Sequence, residues 1–134
     1  MRRPKLSFLQ VITTASLALM ALALNACTLT PQPMTLVAEN HQHCGTGDGV
    51  ELDGSLLTLR AGQRPTPGYA VELLSQTRRS DHLQITYRVS EPPPGRMLAQ
   101  VMTSPCTRVQ LPEHWQSLRV VNQDTGEVWD FGQP

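Results

Sequence analysis

His82-Leu83-Gln84-Ile85-Thr86-Tyr87-Arg88-Val89 alternates without a break. Leu83, Ile85, Tyr87 and Val89 fall on one face, and Gln84, Thr86 and Arg88 on the other. Successive side chains of a strand point to opposite faces, so a period of two over this length marks a strand lying half-buried against a core. No stretch after residue 26 shows a sustained 3.6-residue apolar period, so the neighbouring segments are read as strands too.

Upstream, Val50-Glu51-Leu52 and Ser55-Leu56-Leu57-Thr58-Leu59 flank Asp53-Gly54. Asp-Gly between apolar runs predicts a two-residue hairpin of type I′, whose central residues both need positive φ. Residues 61–68 carry the Gly and Pro chemistry of a loop. Tyr69 to Leu74 reads as a strand with Tyr69, Val71 and Leu73 on one face, and the polar stretch Ser75 to Asp81 is expected to turn the chain. Downstream, Glu91-Pro92-Pro93-Pro94-Gly95 lacks the N–H groups a ladder needs and serves as a connection. Met97 to Met102 is a further apolar run, and Thr107 to Leu111 a strand. Ser117 to Val121 and Glu127 to Phe131 flank Asn122-Gln123-Asp124-Thr125-Gly126 as a closing hairpin. The expected fold is all-β: six to eight short strands in a small antiparallel sandwich or partly open barrel.

The N-terminus has a separate logic. Arg2, Arg3 and Lys5 precede an apolar run from about Phe8 to Leu24, whose fully apolar part is too short to span ~30 Å of hydrocarbon as a permanent helix. A basic start, a short apolar core and a small residue before the cut are the features of a cleaved export signal. Leu24-Asn25-Ala26-Cys27 resembles the lipobox of bacterial lipoproteins, with Asn25 in place of the commoner Ala or Ser. The resemblance implies removal of residues 1–26, lipidation of Cys27, and attachment to the cell envelope through the N-terminal lipid. Thr28, rather than Asp, after the cysteine implies the outer membrane, facing the periplasm. The alternative is an ordinary export signal that contains a cysteine. Residues 27–43, polar and with Pro31 and Pro33, are expected to be the lipidated cysteine and a flexible tether, and 44–134 the folded domain.

All 11 acidic residues lie after residue 26, against 8 of the 11 basic ones, so the chain beyond the signal carries a net charge of −3. An acidic domain with no basic stripe argues against nucleic acid as a partner. With Cys27 lipidated, Cys44 and Cys106 remain as an even pair in an oxidising compartment, where disulfides persist. A bridge between them would close a loop of about 60 residues and contribute on the order of 4 kcal/mol in the chain-entropy account. A domain of this size buries little core and gains from such a staple.

Three connections in order carry a family pattern: Arg64-Pro65-Thr66-Pro67-Gly68-Tyr69-Ala70-Val71, then Glu91-Pro92-Pro93-Pro94-Gly95, then Thr103-Ser104-Pro105 with Val109 beyond. Together, over about residues 50–112, they resemble the C-terminal domain of the protease complex subunit PrcB family. The resemblance implies a secreted or lipid-anchored β domain associated with an extracytoplasmic protease, with no catalytic residues of its own. Pro67 stands where the family often has Gly, and Cys106 where an aromatic is common. Taken by themselves, Thr66-Pro67-Gly68-Tyr69 suit a type II turn with Gly68 at the positive-φ position. That turn is either a recognition loop or a tight turn ending in a core tyrosine.

Other constellations are thin. His41-Gln42-His43-Cys44 has metal-ligand residue types but no matching fourth ligand, and Cys44 is wanted by Cys106, so no metal or cofactor is expected. Ser80-Asp81-His82 holds triad residue types, but adjacent side chains point apart and no nucleophile elbow exists. Gly45-Thr46-Gly47-Asp48-Gly49 lacks the Lys and helix of a phosphate loop. Trp115 and Trp129 are either core or partner anchors. These readings converge on a non-enzymatic envelope lipoprotein that binds or supports another protein, a protease complex being the implied partner. Thr66, Pro67, Gly68, Tyr69, Pro94, Gly95 and Trp115 are the candidate contact residues. A chagasin-like protease inhibitor, or a structural envelope lipoprotein, is the alternative.

Overall fold

The structure, a computed structural model, describes residues 30–133. The expected signal and Cys27 lie outside the described residues. From Pro31 onward the chain forms one compact unit. Its strands are β1 (Gln32–Pro33), β2 (Ala38–His41), β3 (Asp48–Asp53), β4 (Leu56–Ala61), β5 (Ala70–Arg79), β6 (His82–Ser90), β7 (Cys106–Gln110), β8 (Ser117–Asn122) and β9 (Val128–Gly132). They form two sheets, ordered β1-β5-β6-β8-β9 and β2-β7-β4-β3. The fold is an all-β sandwich, as the alternation in β6 leads one to expect.

The two inner faces meet in a core of Leu57, Leu59 and Ala61 from β4, Val71 from β5, Leu83, Ile85 and Tyr87 from β6, Val109 from β7, and Leu118 and Val120 from β8. Leu111 and Trp115, from the β7–β8 connection, complete it. Each such side chain fully removed from water contributes about 1.5–3 kcal/mol, which makes this apolar face the main stabilising term. One polar link crosses the core: the Thr107 hydroxyl of β7 lies 2.8 Å from the Val71 carbonyl of β5.

Several sequence-level expectations are corrected. One strand pair is not antiparallel: β6 and β8 run parallel, from His82↔Ser117 to Tyr87↔Asn122. Between them the chain crosses to the other sheet to form β7 and then returns, which brings β8 back in the direction of β6.

Residues 31–43 are not a bare tether. Gln32 and Pro33 pair with Arg78 and Thr77, and Ala38 to His41 pair with Val109 to Cys106. Both are edge strands, where a proline and a polar sequence are tolerated because one side of the ladder is free. Met34 and Leu36 pack against the core, and the Leu36 N–H donates to the Gln76 side chain at 2.7 Å. Two inward residues are too few to register as a period.

Ser75 to Arg79 is strand, not turn. The pairing slips between Leu73 and Ser75, and the extra residue, Leu74, is exposed. Opposite residues of an antiparallel pair share a face, so beyond this bulge Gln76 and Arg78 take over the inner face from Val71 and Leu73. That change hides the strand from a hydrophobic-pattern reading. The β5–β6 turn is Ser80-Asp81, with Ser80 at φ +54°.

The first hairpin is also shifted by one residue. Asp53 pairs with Leu56, so the loop is Gly54-Ser55, and of these only Gly54 has positive φ. This is the sign pattern of type II′ rather than I′. Finally, Met97 to Met102 forms no strand, and Met97 is fully exposed.

Candidate functional site

The long strand β5 defines two poles. At one, Ala70 faces Ser90; at the other, Arg79 faces His82. Strand β1 joins β5 at Thr77 and Arg78. Seven residue steps along the strand take Ala70 to Thr77, so the first described strand lies roughly 20–25 Å from the Ala70 pole.

All three family-pattern connections meet at the Ala70 pole. Arg64 and Thr103 exchange backbone hydrogen bonds, with Arg64 N donating to Thr103 O at 2.7 Å and Thr103 N donating to Arg64 O at 2.9 Å. The Thr103 hydroxyl donates to Thr66 O at 3.2 Å. The Ala61 N–H donates to Pro105 O at 2.9 Å. Gly68, at φ +101°, lies so near Pro92 that an added Cβ would stand 2.8 Å from the proline Cβ. Pro67 before it supplies the fixed φ of a type II turn's first central position, and Gly68 the positive φ of the second. The Arg64 guanidinium lies over the Tyr69 ring, 5.3 Å from its centroid.

The bridge Cys44–Cys106 sits directly behind this cluster, with Cα atoms 5.9 Å apart. Cys44 N donates to the backbone and side-chain oxygens of Ser104, both at 3.0 Å. The staple therefore anchors the Thr103-Ser104-Pro105 connection as well as the N-terminal segment. With its sulfur in the bridge, Cys44 offers no thiolate to His41 and His43.

Not every predicted contact residue packs into this cluster. Pro94 and Gly95 form an exposed turn at the tip of the 91–102 connection, with Gly95 at φ +80° and open space around it. Trp115 is a core residue, 3% exposed, and it lies near the opposite pole, where the neighbouring Gln116 N donates to Asp81 O. An indole buried among Leu and Val side chains cannot serve as a surface anchor.

Two features of this pole were missed in the sequence. One is the uncovered apolar run: Met97, Val101 and Met102 are 102%, 55% and 57% exposed. The sequence shows an apolar run here, but not that it is left exposed. The other is a cleft of about 340 Å³ between the open ends of the sheets. Arg64, Tyr87, Asn122 and Trp129 line it, with Asp48 and Glu127 also contributing. Tyr87 and Trp129 are tilted neighbours, with ring centroids 6.3 Å apart. Asn122 Nδ2 donates to the Tyr87 hydroxyl at 3.4 Å. Burial pushes the Tyr87 phenol up, and the carboxylates of Glu127, Asp124 and Asp48 add to the rise. No sequence signal groups these residues, which come from five separate segments.

The closing hairpin holds the cleft's rim. The Asn122 side-chain oxygen accepts from Asp124 N at 2.9 Å and Thr125 N at 3.3 Å, fixing the turn. The Asp124 carboxylate accepts from Val89 N at 2.9 Å, tying the turn to β6.

No curated protein and no solved structure matches this chain. A family model does: residues 56–112, which run from the start of β4 through the Thr66-Pro67-Gly68-Tyr69 turn and the 91–105 connection to the end of β7, match the PrcB C-terminal family. The stretch that builds this pole is thus the part of the chain that matches the PrcB C-terminal family.

Proposed function

We propose that this protein is a non-enzymatic envelope lipoprotein that docks another extracytoplasmic protein at the Ala70 pole, a protease complex being the partner the family points to. One observation carries the reading. The three family-pattern connections close on one another at a single pole, beside an apolar run that is left exposed among the described residues. Exposed apolar residues grouped on one surface are a feature of protein interaction sites.

Support for the direction of docking comes from β5. The chain leaves its N-terminal segment at the far end of that strand. With Cys27 lipidated, the contact pole would face away from the membrane, toward a partner. The Thr66 to Tyr69 turn is packed back on Pro92 and Thr103, so it is better suited to shaping this surface than to projecting into a protease cleft as an inhibitor loop.

Photo-crosslinking in cells tests the reading. A crosslinker placed at Met97 should give a discrete adduct that the same crosslinker at Glu113, near the other pole, does not. Equal yields at the two positions, or none at Met97, would overturn it. Mass spectrometry of the mature protein should find residues 1–26 absent and Cys27 acylated.

A further inference from the structure

We infer that the cleft between the sheets is a binding site for a carboxylate carried on a peptide segment, with Arg64 as its principal contact. The reasoning starts from unpaired donors. Among the described residues Arg64 makes no ion pair, its Nε–H is closed off from solvent, and that group has no acceptor. Its guanidinium lies over the face of Tyr69. A stacked guanidinium is held in one orientation, and its fork of N–H groups matches a carboxylate.

The Tyr87 hydroxyl accepts from Asn122 but has no acceptor for its own proton among the described residues. The Trp129 indole N–H likewise has none, and both residues line the same cleft as Arg64. A buried charged donor without an acceptor is costly, and an incoming anion would pair with the Arg64 guanidinium and take the open donors of Tyr87 and Trp129.

The size and sign of the charge narrow the ligand. Asp48 and Glu127 also line the cleft and make no ion pair. Arg60 lines the cleft as well, but its guanidinium is paired with Glu51. Set against the unpaired guanidinium of Arg64, the two acids disfavour a dianion such as phosphate and favour a lone carboxylate, better still one with a Lys or Arg beside it. The volume, about 340 Å³, is in the range of small-ligand clefts and holds one or two residues of a chain. The inference rests on the docking proposal only for the source of the carboxylate, which is a partner's acidic side chain or its C-terminus.

The test is a titration of the domain from Pro31 onward with short peptides, following the indole N–H resonances of Trp129 and Trp115. Acetyl-Lys-Gly with a free C-terminus and acetyl-Lys-Glu-amide separate the two carboxylate sources, and acetyl-Lys-Gly-amide is the neutral control. At least one acid should shift Trp129 saturably and leave Trp115 unmoved, with the neutral peptide at least about tenfold weaker. Arg64→Gln should abolish the shift while the remaining spectrum keeps its dispersion, and Arg64→Lys should retain part of the affinity. Equal binding of acid and amide, binding unchanged in Arg64→Gln, tighter binding of inorganic phosphate, or no saturable shift with any peptide would each overturn the assignment. Crosslinking at Met97 reads the docking proposal separately and does not depend on this outcome.

Discussion

Gly68 lies against Pro92 so closely that a Cβ at position 68 would come within 2.8 Å of the proline ring, and its φ of +101° is one that side chains rarely adopt. This contact joins the first family-pattern turn to the second connection. Gly68→Ala carries both a conformational and a steric cost, so we expect a loss of about 1–3 kcal/mol in urea unfolding. The crosslink at Met97 should weaken as well, because the 91–102 connection must shift to make room. Unchanged stability would mean that the two loops are not held together in solution.

The Cys44–Cys106 bridge spans 62 residues of sequence. Replacing both cysteines with Ala should cost on the order of 4 kcal/mol, and a reducing agent should have the same effect on the native chain. The loss should appear first as faster amide exchange in residues 38–44 and at Thr103 and Ser104. A midpoint unmoved by reduction would show that the thiols are not bridged.

Tyr87 makes stability depend on alkaline pH. Burial raises its pKa above the ordinary phenol value of 10.0, so the folded state favours the neutral phenol. Its contribution is fully present below pH 10 and is lost as pH rises through the higher folded value. Tyr87→Phe should flatten the alkaline limb of the stability curve, at a cost of about 1 kcal/mol near neutrality for the acceptor that Asn122 loses. An alkaline limb identical to the parent's would contradict this account.

Trp115 separates core from contact. Truncation to Ala should cost about 3–5 kcal/mol. Trp115→Phe should keep the fold and leave the Met97 crosslink at its parental yield. A specific loss of crosslinking in Trp115→Phe, with stability intact, would return this residue to the contact surface.

Ser80 occupies the left-handed region, with φ +54° at the β5–β6 turn. Ser80→Gly relieves that backbone cost, and we expect it to be neutral to stabilising by up to about 1 kcal/mol in the folding equilibrium. A clear destabilisation would mean that the serine side chain holds the turn.

The all-β class, the strands β4, β6, β7, β8 and β9, and the disulfide partners were legible in the sequence because they depend on local pattern and residue type. Leu83, Ile85 and Tyr87 announce their face by alternation alone, and Cys44 and Cys106 are the pair left once the lipobox-like Cys27 is set aside. The resemblance of the three loop motifs was likewise readable from their order.

Tertiary structure alone decided the rest, for a single physical reason: these features depend on which side of a residue another segment happens to lie. Leu74 bulges, so Gln76 and Arg78 turn inward and a polar stretch becomes strand. Gln32 and Pro33 become strand because β5 offers them an open edge. Trp115 is core because the β7–β8 connection folds over the sandwich end, and Met97 is exposed because nothing folds over it. The meeting of Arg64, Tyr87 and Trp129 in one cleft is set by sheet order, and no spacing along the chain encodes it.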